Sequence, residues 1–246
     1  MTIEGTHDHV YFIFIDAVGH SEIVANNPFD RIITAFDLLR ERVDRRLATV
    51  AAANACSGAA TWQWAGDGGF LVVHDQWESR AAATALGVAR GILELDLRHL
   101  RDEFARLPIL GELHLRISVH KGTIRYRGPG TEGAVYSTAV NLAAHLERAA
   151  PPDTVVISAD VFRVAGEIVQ GFQRVGAFEG TDVYVLSVDN EDVVRRWLAA
   201  HGLEGGTRVH AYAERPSQFE KARLVDAAVR GITEYGTALN TCAALV

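Results

Sequence analysis

Cysteine is scarce in this chain, with two among 246 residues, Cys56 and Cys242. So few thiols exclude a disulfide framework and give no sign of a zinc site, so a reducing cytoplasm is the expected location. Long basic runs are also missing, and the formal net charge is −7. A general nucleic-acid binder, whose affinity comes mainly from neutralising phosphates, is therefore not expected. A nucleotide ligand stays compatible, because a metal ion can carry the positive charge. No stretch is apolar for about 18 residues, so no transmembrane helix and no membrane association are expected. The N-terminus lacks the basic and apolar regions of a signal peptide. The chain is otherwise 48% hydrophobic and 22% charged, ordinary for a globular protein of one large domain or a domain plus an extension.

The apolar run Val10–Ile15 reads as a buried strand. Residues 29–53 read as a long helix, with Phe29, Ile32, Ile33, Phe36, Leu39, Val43 and Leu47 at spacings of three and four. A hairpin over 60–65 and 69–74 comes next, then a second long helix over 79–106 that ends before Pro108. Residues 113–119 alternate as a strand, with His120 supporting its end. Residues 127–133 form a loop by composition. Residues 138–149 read as a helix, 154–157 as a strand, 159–168 as a helix with Ser158 as its N-cap, and 183–188 as a last strand. The fold is therefore α/β or α+β around one sheet. Residues 190–246 differ in character and hold two expected helices, near 190–201 and 215–237.

The chemistry concentrates at two acidic turns. Asp16 ends the first strand and opens the turn Ala17–Ser21. Asp67 lies in Gly66-Asp-Gly-Gly69, ahead of the apolar run Phe70–Val73. Carboxylates supply the hard oxygen ligands preferred by Mg²⁺ or Mn²⁺. Glycine lets backbone N–H groups approach an anionic phosphate.

Four segments in order resemble the catalytic domain of class III nucleotidyl cyclases over roughly residues 8–189. They are Phe14-Ile-Asp-Ala-Val-Gly-His-Ser21, Gly66-Asp67 before an apolar strand, Leu115-Arg-Ile-Ser-Val-His-Lys-Gly122, and Ala139-Val-Asn-Leu-Ala-Ala-His-Leu-Glu147. The resemblance implies an α+β, ferredoxin-like core of mainly antiparallel sheet with flanking helices, assembled as a head-to-tail homodimer with shared active sites. It divides the chain into a catalytic domain over 1–189 and a helical extension over 190–246. Asp16 and Asp67, with the backbone of Ala17, would hold two Mn²⁺ or Mg²⁺ ions. Phe14 and the turn Ala17, Val18, Gly19, His20 and Ser21 would meet the substrate, their amides holding the triphosphate. Asn141, from the partner chain, would orient the ribose, whose 3′-oxygen attacks the α-phosphorus.

The chain departs from the purine cyclases at the base-reading positions, which the resemblance places at Gln63 and Ala134. Neither residue is one that reads adenine or guanine. A site that hydrogen-bonds one base rejects others by leaving buried groups unpaired, so a pyrimidine is expected. Trp62, Trp64 and Tyr136 lie near enough to fill the space left by a smaller base, although strand alternation turns both tryptophans away from Gln63 as core or dimer contacts. The transition-state cation of the family falls at His145, with Arg148 nearby as its substitute. The phosphate-binding lysine falls at Glu179, leaving Lys121, Arg125, Arg127 and Arg174 as candidate replacements. These departures resemble the short pyrimidine cyclases of the bacterial Pycsar anti-phage systems. The expected activity is uridylate cyclase, making cyclic UMP for a separate effector. Cytidylate cyclase, a divergent adenylate cyclase and an inactive nucleotide-binding homologue come after it in that order.

Overall fold

The computed structural model describes residues 5–127 and 134–187. Eight strands form one sheet: β1 Gly5–Val18, β2 Gly58–Ala65, β3 Gly68–His74, β4 His114–Arg127, β5 Ala134–Tyr136, β6 Thr154–Ser158, β7 Gln173–Phe178 and β8 Thr181–Ser187. Their order is β2-β3-β1-β4-β6-β8-β7, with β5 paired to β4. All neighbours are antiparallel except β4 and β6. The β1–β4 portion has the βαββαβ order of a ferredoxin-like core, so the expected α+β architecture is observed. Of the loop expected over 127–133, Arg127 is instead the last residue of β4, and residues 128–133 and the extension over 190–246 lie outside the described residues. Among the described residues no helix is long and apolar enough to cross a membrane.

Side-chain alternation along β1 builds two cores. Tyr11, Ile13, Ile15 and Ala17 pack into the larger one, with residues of the helices α2 Phe29–Ala53, α3 Glu78–Gly91 and α4 Leu97–Arg106. Val10, Phe12 and Phe14 face the other way, into a core shared with α5, Thr138–Ala149. Period-two geometry puts Asp16 on this second face.

The helix expected over 29–53 has those bounds, but Phe29 and Ile33, which the periodicity assigns to the apolar stripe, are exposed. The helix expected over 79–106 is interrupted by a π-helical turn, Ile92–Asp96. The turn carries buried Asp96, whose carboxylate takes two bonds from Arg46, at 2.7 and 2.8 Å. Three elements go beyond the sequence expectation: α1 His20–Asn26, β5 and β7. All are short. The helix expected over 159–168 is α6, Ala159–Val164, with a 3₁₀ turn after it, Gly166–Val169. Ser158 is its N-cap by position without a capping bond; its hydroxyl lies 2.7 Å from Nδ1 of His120 instead.

Helix α5 lies close on β4. Ser118 donates to the carbonyl of Ala143 at 2.7 Å, and Ala139 sits over Gly122, where a Cβ would stand 2.2 Å from the Ala139 Cβ. A Gly122→Ala variant must lift or shift the helix and should lose about 1–3 kcal/mol, as overpacked sites do; urea unfolding measures it. Burial pushes the imidazole of His120 down to about 4 from 6.5. A histidine kept neutral in the fold but protonated in the unfolded chain adds nothing against folding above pH 6.5 and opposes it increasingly as pH falls toward 4. At about 1.4 kcal/mol per pH unit, the term reaches roughly 3 kcal/mol. In His120→Gln the fall of stability between these pH values should be shallower by that amount, measured by denaturant melts across the range.

Candidate functional site

The pairing of β1 with β3 sets Asp16 opposite Gly68, and the turn before β3 carries Asp67 to the same edge. The N–H of Ala17 donates to the Asp67 carbonyl at 3.0 Å. Gly68 has no room for a side chain, since a Cβ there would lie 2.4 Å from the Ile15 carbonyl oxygen. Gly19 comes next with φ 78° and caps α1, so residues 17–21 turn directly from strand into helix. His20, in the first turn, brings Nδ1 to 3.4 Å from the Asp67 carboxylate and packs its ring edge against Phe36. Phe14, one pleat before Asp16, is buried and stacked on Phe70 at 4.5 Å.

Asp16 is only 7% exposed, and the cation that balances it is Arg116 of β4, its register partner. Arg116 Nη2 and Nε reach the same Asp16 oxygen, at 2.6 and 3.0 Å. Nε also lies 2.6 Å from Glu147 of α5, itself 7% exposed. Arg116 and Glu147 are not among the residues that the sequence singles out. The signal is present in the alternation of residues 113–119, which puts Arg116, Ser118 and His120 on the α5 face.

The remaining expected residues divide into two groups. Gln63 belongs near the acidic edge. A register shift between Thr61 and Gln63 places Gln63 opposite Phe70, and residues paired across strands share a face. Trp62 packs against that same core, while Trp64 packs on the opposite face over Gly69. This corrects the alternation argument, which turns both tryptophans away from Gln63; the bulge adds a residue and breaks the period.

The other group lies further along β4 and on α5. Tyr136 and Ala134 pair by backbone with Arg125 and Arg127, whereas Asp16 pairs with Arg116. Arg125 lies nine residues beyond Arg116 along β4, while Trp62, beside Gln63, meets Tyr126 of that same stretch at 5.7 Å. On α5, Asn141 and His145 are one turn apart and half-buried, while Glu147 turns inward to Arg116. At about 100° per residue, Asn141 and His145 therefore lie on a different side of α5 from Glu147. Arg148 is 6% exposed, more enclosed than either.

Of the candidate replacement cations, Lys121 and Arg174 are paired with other acids and Arg125 lies beside β5. Lys121 is 2.5 Å from Glu78, and Arg174 is 2.7 Å from Asp182. The Arg127 side chain is outside the described residues.

The donor set can be tested against a divalent cation. Among the described residues no three His, Cys, Asp or Glu side chains gather as a metal cluster. Asp16 and Asp67 instead supply two carboxylates beside a backbone turn. That fits Mg²⁺ or Mn²⁺, which are commonly held by one or two carboxylates with the substrate phosphates completing the shell.

No protein-family model matches the chain, and no curated protein sequence matches it. Solved structures do. The guanylyl cyclase Cya2 is 17% identical with a TM-score of 0.55, covering 77% of this chain and 98% of its own. The guanylyl cyclase domain of a RhoGC fusion protein from the aquatic fungus Blastocladiella emersonii is 14% identical with a TM-score of 0.58, covering 74% and 97%. The adenylyl cyclase CyaB from P. aeruginosa is 16% identical with a TM-score of 0.53, covering 78% and 98%. At these identities the likeness fixes the fold, which is that of class III nucleotidyl cyclase catalytic domains.

Removing Arg116 would take away the guanidinium that the buried carboxylates of Asp16 and Glu147 share. Arg116→Gln should cost about 3 kcal/mol or more, the scale of breaking a buried ion pair by deleting one partner. Thermal and urea unfolding check it, and a second substitution, Glu147→Gln, should restore part of the loss.

Proposed function

We propose that the protein is a nucleotidyl cyclase that converts a pyrimidine nucleoside triphosphate, UTP ahead of CTP, into its 3′,5′-cyclic monophosphate and pyrophosphate. The observation that carries this reading is the Asp16–Gly68 register, which brings Asp16, Asp67 and the turn Ala17–Ser21 to one edge of a cyclase-fold sheet. Asp16, Asp67 and the Ala17 backbone would hold two Mn²⁺ or Mg²⁺ ions. Bound there, such ions activate the ribose 3′-oxygen and neutralise charge on the phosphates. The turn Val18, Gly19, His20 and Ser21 holds the triphosphate in line for attack, and positioning of this kind supplies much of the rate.

A second copy completes the site. A head-to-tail homodimer supplies Asn141, His145, Arg148, Ala134 and Tyr136 to the partner's metal edge, with Asn141 on the ribose and His145, or Arg148 in its place, at the position of the transition-state charge. Gln63 and Ala134 support a pyrimidine. A glutamine amide offers both a donor and an acceptor, so it suits the C4 group of either pyrimidine. The Pycsar-like pattern supports UTP, an anti-phage role in the cytoplasm and a separate effector that reads the product.

Product formation from ATP, GTP, CTP and UTP with Mn²⁺, resolved by mass, tests the reading. Cyclic UMP is expected, reduced about a thousand-fold or more in Asp16→Ala and in Asp67→Ala, in keeping with loss of a charge-stabilising group. Cyclic AMP or GMP instead would overturn the base assignment. No metal-dependent product from any of the four would overturn the enzymatic reading in favour of a nucleotide-binding homologue. The shared site has its own test: inactive Asp16→Ala and inactive Asn141→Ala chains should regain activity when mixed.

A further inference from the structure

Two side chains that no charge pattern in the sequence connects, His145 on α5 and Glu179 between β7 and β8, are bonded to each other. Nδ1 of His145 lies 2.7 Å from Oε1 of Glu179. A carboxylate only accepts, so the ring proton in this bond belongs to Nδ1.

The backbone beneath Glu179 is unusual. Glu179 has φ 45° and Gly180 has φ 82°, joining strands that pair Phe178 with Thr181. Two consecutive positive φ values make a tight hairpin turn whose first position favours Asn, Asp or Gly. A glutamate there is strained, and strain of this kind persists where the surroundings impose it. Phe178 is buried in a core with Leu146, Ala149 and Leu142 of α5. The carboxylate thus meets the imidazole from a backbone conformation that disfavours glutamate.

We propose that Glu179 is a positioning residue for His145, holding the ring with its Nδ1 proton on the carboxylate and so setting the orientation in which His145 meets the nucleotide. A carboxylate behind an imidazole sets its tautomer and orientation wherever the pair occurs. Here the pair joins the β7–β8 turn to the helix face that carries Asn141. The part of this proposal that names a nucleotide rests on the cyclase reading; the dyad itself does not.

Glu179→Gly separates the roles, because glycine suits the positive φ and removes only the carboxylate. The variant should remain folded, with a melting temperature no lower than that of the parent. In nitrogen-15 spectra of histidine-labelled protein, with His145 assigned by its loss in His145→Gln, the Nδ1–H signature should be present in the parent. It should give way to a tautomer mixture in Glu179→Gly. Turnover should fall by about 10- to 100-fold, the usual effect of losing a carboxylate that orients a functional imidazole, with KM changed far less. Glu179→Gln, which keeps an accepting oxygen, should retain the tautomer and recover most of kcat. An unchanged tautomer in Glu179→Gly, or wild-type kcat in that variant, would overturn the proposal. Were the parent to turn over no nucleotide, the cyclase reading would fail, and the spectra alone would decide the dyad in the same two directions.

Discussion

Two carboxylates buried side by side need a cation between them, and Arg116 is that cation. Asp16 belongs to β1, Arg116 to β4 and Glu147 to α5. An ion removed from water without a partner costs several kcal/mol, so the three elements are obliged to meet at this point. The rest of the second core is arranged around that meeting. Ser118 and Gly122, further along β4 on the same face, seat α5 against the sheet. The antiparallel pairing of β1 and β3 then brings the Asp67 turn alongside Asp16. The acidic edge thus exists because the sheet is registered as it is, and the charge balance holds that register.

Much of this is legible in the sequence. Asp16 and Asp67 stand out because each combines a strand end with glycine. The long helix over 29–53 announces itself by periodicity. Other features are hidden for definable reasons. A β-bulge leaves no mark in an alternation pattern, so the pattern assigns Trp62 and Trp64 to one face when the extra residue puts them on two. A π-turn preserves the helical look of the sequence while advancing the register, so the helix over 79–106 reads as uninterrupted and Asp96 does not stand out as a buried charge. Arg116 and Glu147 read as ordinary charged residues, because their significance depends on which strand lies next to which. Pairing between distant segments is not encoded in local spacing.

The same face of the sheet is used in two ways. Near Asp16 it is polar and held by ion pairs. Toward β5 it becomes aromatic, with Trp62 edge-on to Tyr126 at 5.7 Å and Phe12 stacked near Phe70. His120, kept neutral by burial, lies between these regions and adds no charge of its own near neutral pH. Asp16, Arg116, Glu147, Asp67 and His20 are ionisable groups gathered at the acidic edge.

The contact between Ala139 and Gly122 makes α5 a gauge of length. One end of the helix is stopped against β4, and the other must deliver Glu147 to Arg116. Each added residue rotates the remainder of the helix by about 100°. An insertion or deletion between Ala139 and Glu147 would turn the carboxylate off the guanidinium even with every charge retained. The spacing within one helix is therefore as much a part of the charge balance at Asp16 as the charges themselves.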